Sequence, residues 1–131
     1  MFGKKKVTSF EKLTLSISGM RANFDYEMIN KGDAAEVSYY MHVCTEEGWG
    51  RRLEKRVECP VGEALEQLDA CGVYGWNGFS GKHPRGVLDG LMFRLEGVVN
   101  GERIYASGSQ NFPKGFRELR DWFYLTLNGK E

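Results

Sequence analysis

Net charge is the first thing this sequence does not have. Lysine plus arginine and aspartate plus glutamate both come to 18, so no long-range field draws the chain to nucleic acid or to an anionic membrane surface. Long apolar runs are missing too, and no segment approaches the roughly 18 residues of a membrane helix. Histidine is scarce: His42 and His83 are the only two, and the three cysteines, Cys44, Cys59 and Cys71, form no CxxC pair. A structural zinc site needs about four ligands in close groups, so no metal is expected. Neither GxxxxGK[ST] nor GxGxxG occurs, which leaves no phosphate or dinucleotide cradle and no expected cofactor. There is no nucleophile elbow and no arguable pair of glycosidase carboxylates, so no catalytic residue is assigned. The opening "MFGKKKVTSF" is basic without a following apolar run. That is not a secretory signal, and thiols without a pairing pattern suit a reducing compartment. The expectation is a cytoplasmic protein with a flexible basic tail over residues 1–8.

What is present is a chain of 131 residues, the size of one domain and long enough to bury a real core. Apolar residues alternate with polar ones through Leu13, Leu15 and Ile17, then Phe24, Tyr26 and Met28 against Asp25 and Glu27, then Val37, Tyr39, Met41 and Val43. A period of two marks half-buried strands, and the tight turn at "NKGD" makes the first three an antiparallel meander. In "RLEKRVEC" a fourth strand puts Leu53, Val57 and Cys59 on one face, with Lys55 intruding as an edge charge; a helix competes for this stretch. Arg51, Arg52, Lys55 and Arg56 are interleaved with Glu54 and Glu58, which reads as a charge-balanced edge.

Val61, Ala64, Leu65, Leu68 and Cys71 fall at helical spacing between Pro60 and Gly72. A hairpin follows, with Leu91, Phe93, Leu95 and Val99 on one face, Asn100-Gly101 at the turn, and Ile104 and Ala106 returning. A last helix begins near Pro113 and buries Phe116, Leu119, Phe123 and Leu127. The predicted order is β-β-β-β-α-β-β-α: a single α+β domain over residues 1–131, with an antiparallel sheet of about six strands and both helices on one face.

The stretch "GVYGWNGFSGKHPRGVLDG", residues 72–90, fits neither period. Together "GWNGF" at 75–79, "VLDG" at 87–90 and "ASGSQNFPKGFREL" at 106–119 resemble a small uncharacterised bacterial domain family common in gut Firmicutes. Its members carry a tryptophan-glycine-phenylalanine loop, an aspartate-glycine before a hairpin, and a serine-glycine-asparagine-proline run into the last helix. The resemblance covers the second half of the chain, implies a fold of this kind, and brings no activity. Gln110, between Ser109 and Asn111, departs from the family's more direct glycine-serine-asparagine run.

These segments supply the candidate ligand-binding residues: Trp76, Asn77 and Phe79 as a wall, Asp89 as an acid, and Ser107, Ser109 and Asn111 as a polar turn before a helix. Each has a plainer role. The aromatics can cover the sheet while glycines give the backbone freedom, Asp89 can pin the loop or the Trp76 indole, and Ser107, Ser109 and Asn111 can serve turn and helix capping. Two readings of function follow. One is a non-enzymatic interaction or accessory domain with an unknown protein or small-molecule partner, using an exposed sheet face of Tyr40, His42, Arg94, Glu96 and Tyr105. The other is a small-molecule-binding protein or enzyme with its pocket at the Trp76 loop.

Overall fold

The structure is a computed structural model and describes residues 6–19, 23–82 and 91–129. Seven strands form one sheet: β1 (Phe10–Ser18), β2 (Asn23–Asn30), β3 (Ala35–Thr45), β4 (Gly48–Cys59), β5 (Ser80–Gly81), β6 (Met92–Val99) and β7 (Glu102–Ser109). Two helices, α1 (Val61–Cys71) and α2 (Phe116–Asn128), complete the fold, with a 3-10 turn at Val73–Trp76. The sheet order is β4-β3-β2-β1-β6-β7-β5. All pairs are antiparallel except β5 with β7. The fold is therefore α+β as expected, with one more strand: β5 is two residues of the Trp76 loop laid along β7, too short for any periodicity to reveal.

The alternation of the sequence becomes two faces. Leu13, Leu15 and Ile17 stand opposite Met28, Tyr26 and Phe24 on β2 and Gly97, Leu95 and Phe93 on β6. This face joins Ala64 and Leu68 of α1 and Leu119, Phe123 and Leu127 of α2 in one core, so the helices share it. Tyr39 and Leu65 pack against that core half-buried, because each sits at its rim. Leu91, expected on the inward face, lies before β6 and is 37% exposed.

The fourth strand corrects the sequence reading. Tyr39 pairs with Lys55 but Tyr40 pairs with Leu53, so Glu54 is an extra residue in β4. A bulge of one residue exchanges the two faces of everything beyond it. Val57 and Cys59 keep the inward side, whereas Leu53 turns outward and is 42% exposed. The second helix is also corrected: it starts at Phe116, after Gly115, and Ser107 and Ser109 belong to β7. They cannot cap it. Gly115, at φ 92, lies so close to the Cys71 carbonyl that a Cβ there would overlap it; this glycine lets the end of α1 meet the start of α2. Residues 6–8 of the supposed tail are held. Val7 is buried, its N–H donates to Asp69 Oδ1 at 3.0 Å, and the Asn100 side chain binds Lys6 and Thr8.

Candidate functional site

The Trp76 loop is packed from within. Trp76 is 4% exposed, its Nε1–H donates to the Lys114 carbonyl at 2.9 Å, and its ring lies beside Phe116. Phe79 is half-buried against Phe93. The residues between them finish the edge of β7. Asn77 Oδ1 accepts the Tyr105 N–H at 3.0 Å, Gly78 N–H donates to the Tyr105 carbonyl, and Ser107 N–H donates to the Phe79 carbonyl. Asn111 folds over Gly108 so closely that any side chain there would collide with its carbonyl, and its Nδ2 reaches the Lys82 carbonyl at 3.4 Å. Ser107 and Ser109 lie on the outward face of β7, opposite Arg94 and Met92. The structure thus brings Trp76, Asn77, Phe79, Ser107 and Asn111 into one corner as mutual support. Asp89 and His83 lie outside the described residues.

A different constellation occupies the sheet face away from the helices. Asp25 and Glu27 are 7% and 3% exposed although they point to this open side. Long side chains from neighbouring strands fold over them. Arg51 Nη1 and Nη2 donate to Asp25 Oδ2 and Glu27 Oε2, each at 3.2 Å, and the guanidinium lies 3.8 Å over the Tyr40 ring. Burial works against the Arg51 charge, but the hydrogen bonds to Glu27 and Asp25, the Glu27 charge and the nearby Tyr40 outweigh it and hold the proton more firmly than water would. His42 Nε2 lies 2.8 Å from Asp25 Oδ1. Thr14 donates to Glu27 Oε2 at 3.2 Å, with Lys12 Nζ at 3.7 Å. Next in the row, Arg56 donates to Ser38 Oγ and the Tyr40 hydroxyl. A carboxylate pair removed from water is tolerable only with such partners.

No protein-family model matches the sequence, and the search of curated proteins found no match.

Two members of the network, His42 and Arg51, line a hollow. About 460 Å³ is bounded by Asn23, His42, Trp49, Gly50 and Arg51, and Trp49 rises beside it 76% exposed. A second hollow of about 510 Å³ on the sheet includes Lys12, Asn77, Glu96, Arg103 and Tyr105 among its walls. Among the described residues, no three metal-ligating side chains come together, and no helix is long and apolar enough to cross a membrane. Sequence reasoning found Tyr40 and His42 on the outward face but missed the burial of Asp25 and Glu27 and their link to Arg51. The available signal was two acids at alternate positions in an apolar strand, facing a basic strand two places along the meander.

Proposed function

We propose that this domain is a non-enzymatic interaction module whose binding surface is the open sheet face at the β3–β4 end, around His42, Trp49 and Arg51. One observation carries the reading: a largely exposed tryptophan beside a hollow lined by His42 and Arg51, which the buried carboxylates Asp25 and Glu27 hold in place. Tryptophan, tyrosine and arginine dominate binding energies at interfaces. Side chains already held in place lose little freedom when a partner arrives. None of the three cysteines is in a disulfide, and Cys44 is exposed; this fits work in a reducing compartment such as the bacterial cytoplasm, and the resemblance to an uncharacterised bacterial domain family is part of this same proposal.

A second reading keeps a small-molecule site near the Trp76 loop. It is favoured by the hollow that Asn77 shares with Tyr105 and Arg103. Amide chemical-shift mapping with a library of small fragments and short peptides separates the two. Shifts gathered on His42, Trp49 and Arg51, and lost in Trp49→Ala, support the first. Shifts gathered on Asn77 and Tyr105 overturn it in favour of the second.

A further inference from the structure

The two edges of the sheet are finished differently. β7 is closed by residues 77–81, which take up its backbone groups at Tyr105 and Ser107. β4 has no strand on its outer side among the described residues. Its second half carries the usual guards of an edge, a bulge at Glu54 followed by Lys55, Arg56 and Glu58. Its first half has no bulge, and its two charged side chains are already engaged, Arg51 with Asp25 and Glu27 and Arg52 with Glu54. There two glycines flank Trp49, and Trp49 and Leu53, on the same open face, are 76% and 42% exposed.

We propose that the chain forms a two-fold dimer by antiparallel pairing of this unguarded half of β4 with the same segment of a second copy, so that the sheet continues through the interface. The proposal rests on the reading of the Trp49 surface as a binding surface and names its occupant. A two-fold axis perpendicular to the sheet keeps both open faces on one side, so only residues of like face can stand opposite, and the allowed registers differ by two residues. Centring the pair on Arg51 sets Trp49 against Leu53 of the second copy. Counted past the extra residue Glu54, it also sets Glu47 of the acidic hairpin tip opposite Arg56 of the other chain, and Glu46 diagonal to its Lys55. A shift of two residues one way puts Trp49 against Arg51, and the other way puts Glu47 against Glu58. Both shifts separate Trp49 from Leu53. Arg51 meets its own copy on the axis, but each guanidinium is already bound to two buried carboxylates, Asp25 and Glu27, so the centre carries no excess of positive charge.

Sedimentation analysis of the full chain over a concentration series tests this. The expected result is a reversible monomer–dimer equilibrium. Trp49→Ala weakens it by at least about tenfold. Glu46→Lys and Lys55→Glu each weaken it by about two- to fivefold, since either breaks both symmetry-related pairs. The Glu46→Lys/Lys55→Glu double variant returns to within about twofold of the parent. Misfolding cannot imitate that return. A parent chain that stays monomeric at its highest soluble concentration overturns the proposal, as does a dimer indifferent to Trp49→Ala or a double variant as weak as the singles. If dimerisation fails while fragment shifts still gather on His42, Trp49 and Arg51, the occupant falls and the surface stands; if those shifts are missing as well, both fall.

Discussion

Two tryptophans in this chain sit in similar sequence surroundings, "GWG" at 48–50 and "GWNG" at 75–78, and end in opposite places. Trp76 is 4% exposed and Trp49 is 76% exposed. The glycines do not decide the outcome; what the next strands bring does. Beside Trp76 the chain returns with Phe116 and the Lys114 carbonyl, which take the ring and the indole N–H. Among the described residues Trp49 has only β3 beside it, where Cys44 stands opposite and His42 and Arg51 share its face. A ring packed on all sides stabilises the fold, whereas a ring held out beside fixed polar side chains is available to something else. Packing gives one corner to stability and leaves the other open for the recognition proposed above.

Removing the ring from each corner gives the largest expected contrast. Trp76→Ala should lower unfolding free energy by about 3–5 kcal/mol, the cost of a large cavity, measured by denaturant titration. A loss under about 1 kcal/mol would mean that the ring is not part of the core. Next in size is Arg51→Ala. Among the described residues it strips the only hydrogen-bonding guanidinium from Asp25 and leaves Glu27 with Thr14 and a distant Lys12. Breaking a buried ion pair from one side costs about 3–5 kcal/mol, and the 37% exposure of the Arg51 side chain lets water enter and brings the expected loss nearer 2 kcal/mol. Adding Glu27→Gln to Arg51→Ala should then cost less than the two separate losses combined. Strict additivity would show that the charges are not coupled.

The two corners also differ in how far the sequence discloses them. Strands with one dry face announce themselves, because Leu13, Leu15 and Ile17 must share a side, and so must Phe93 and Leu95. The helices are equally legible through their apolar stripes. β4 is not, because a bulge is decided by how Tyr39 and Tyr40 seat against their neighbours, and one extra residue at Glu54 reverses the outlook of Leu53. The parallel β5 is two residues long, below the length at which a period exists. The alternation placed Asp25 and Glu27 on the polar face correctly, but their burial depends on Arg51, 26 and 24 positions away. Proximity of that kind follows from the meander's register, not from local pattern. The same holds for Trp76: the sequence offered Asp89 as a partner for its indole, and the partner is a backbone carbonyl 38 positions away.

A third prediction concerns the core beneath the network. The Tyr26 ring stacks on Phe123 with centroids 5.0 Å apart, and burial, followed by the nearby Tyr39 hydroxyl, pushes the Tyr26 phenol up to about 12. The folded state therefore holds this proton more tightly than the unfolded chain, whose tyrosine titrates near 10. The resulting stability is fully present below pH 10 and is lost as pH rises from there through about 12. The loss should stay within about 1–3 kcal/mol, since one pKa unit corresponds to about 1.4 kcal/mol and the hydroxyl is only partly shielded. Tyr26→Phe should flatten the fall in melting temperature between pH 9.5 and 12, roughly the window of that titration. An unchanged slope would assign the alkaline loss to other groups.

The smallest effect on stability is expected at Trp49, and its smallness is what makes the comparison sharp. The side chain stands 76% exposed, with Gly48 and Gly50 on either side in β4 and Cys44 opposite in β3, so truncation opens no cavity. Trp49→Ala should change the unfolding free energy by no more than about 0.5 kcal/mol, the range of a surface substitution. The Arg51 network beneath it should be untouched, because Asp25, Glu27 and Tyr40 hold the guanidinium without the indole's help. The same substitution should nevertheless abolish binding at the open face. Stability and recognition then separate at one residue, as they cannot at Trp76, where loss of the ring loosens the fold before any ligand is considered. Should Trp49→Ala cost as much stability as Trp76→Ala, the indole must be packed against the protein itself in solution, and the assignment of recognition to that corner would fail.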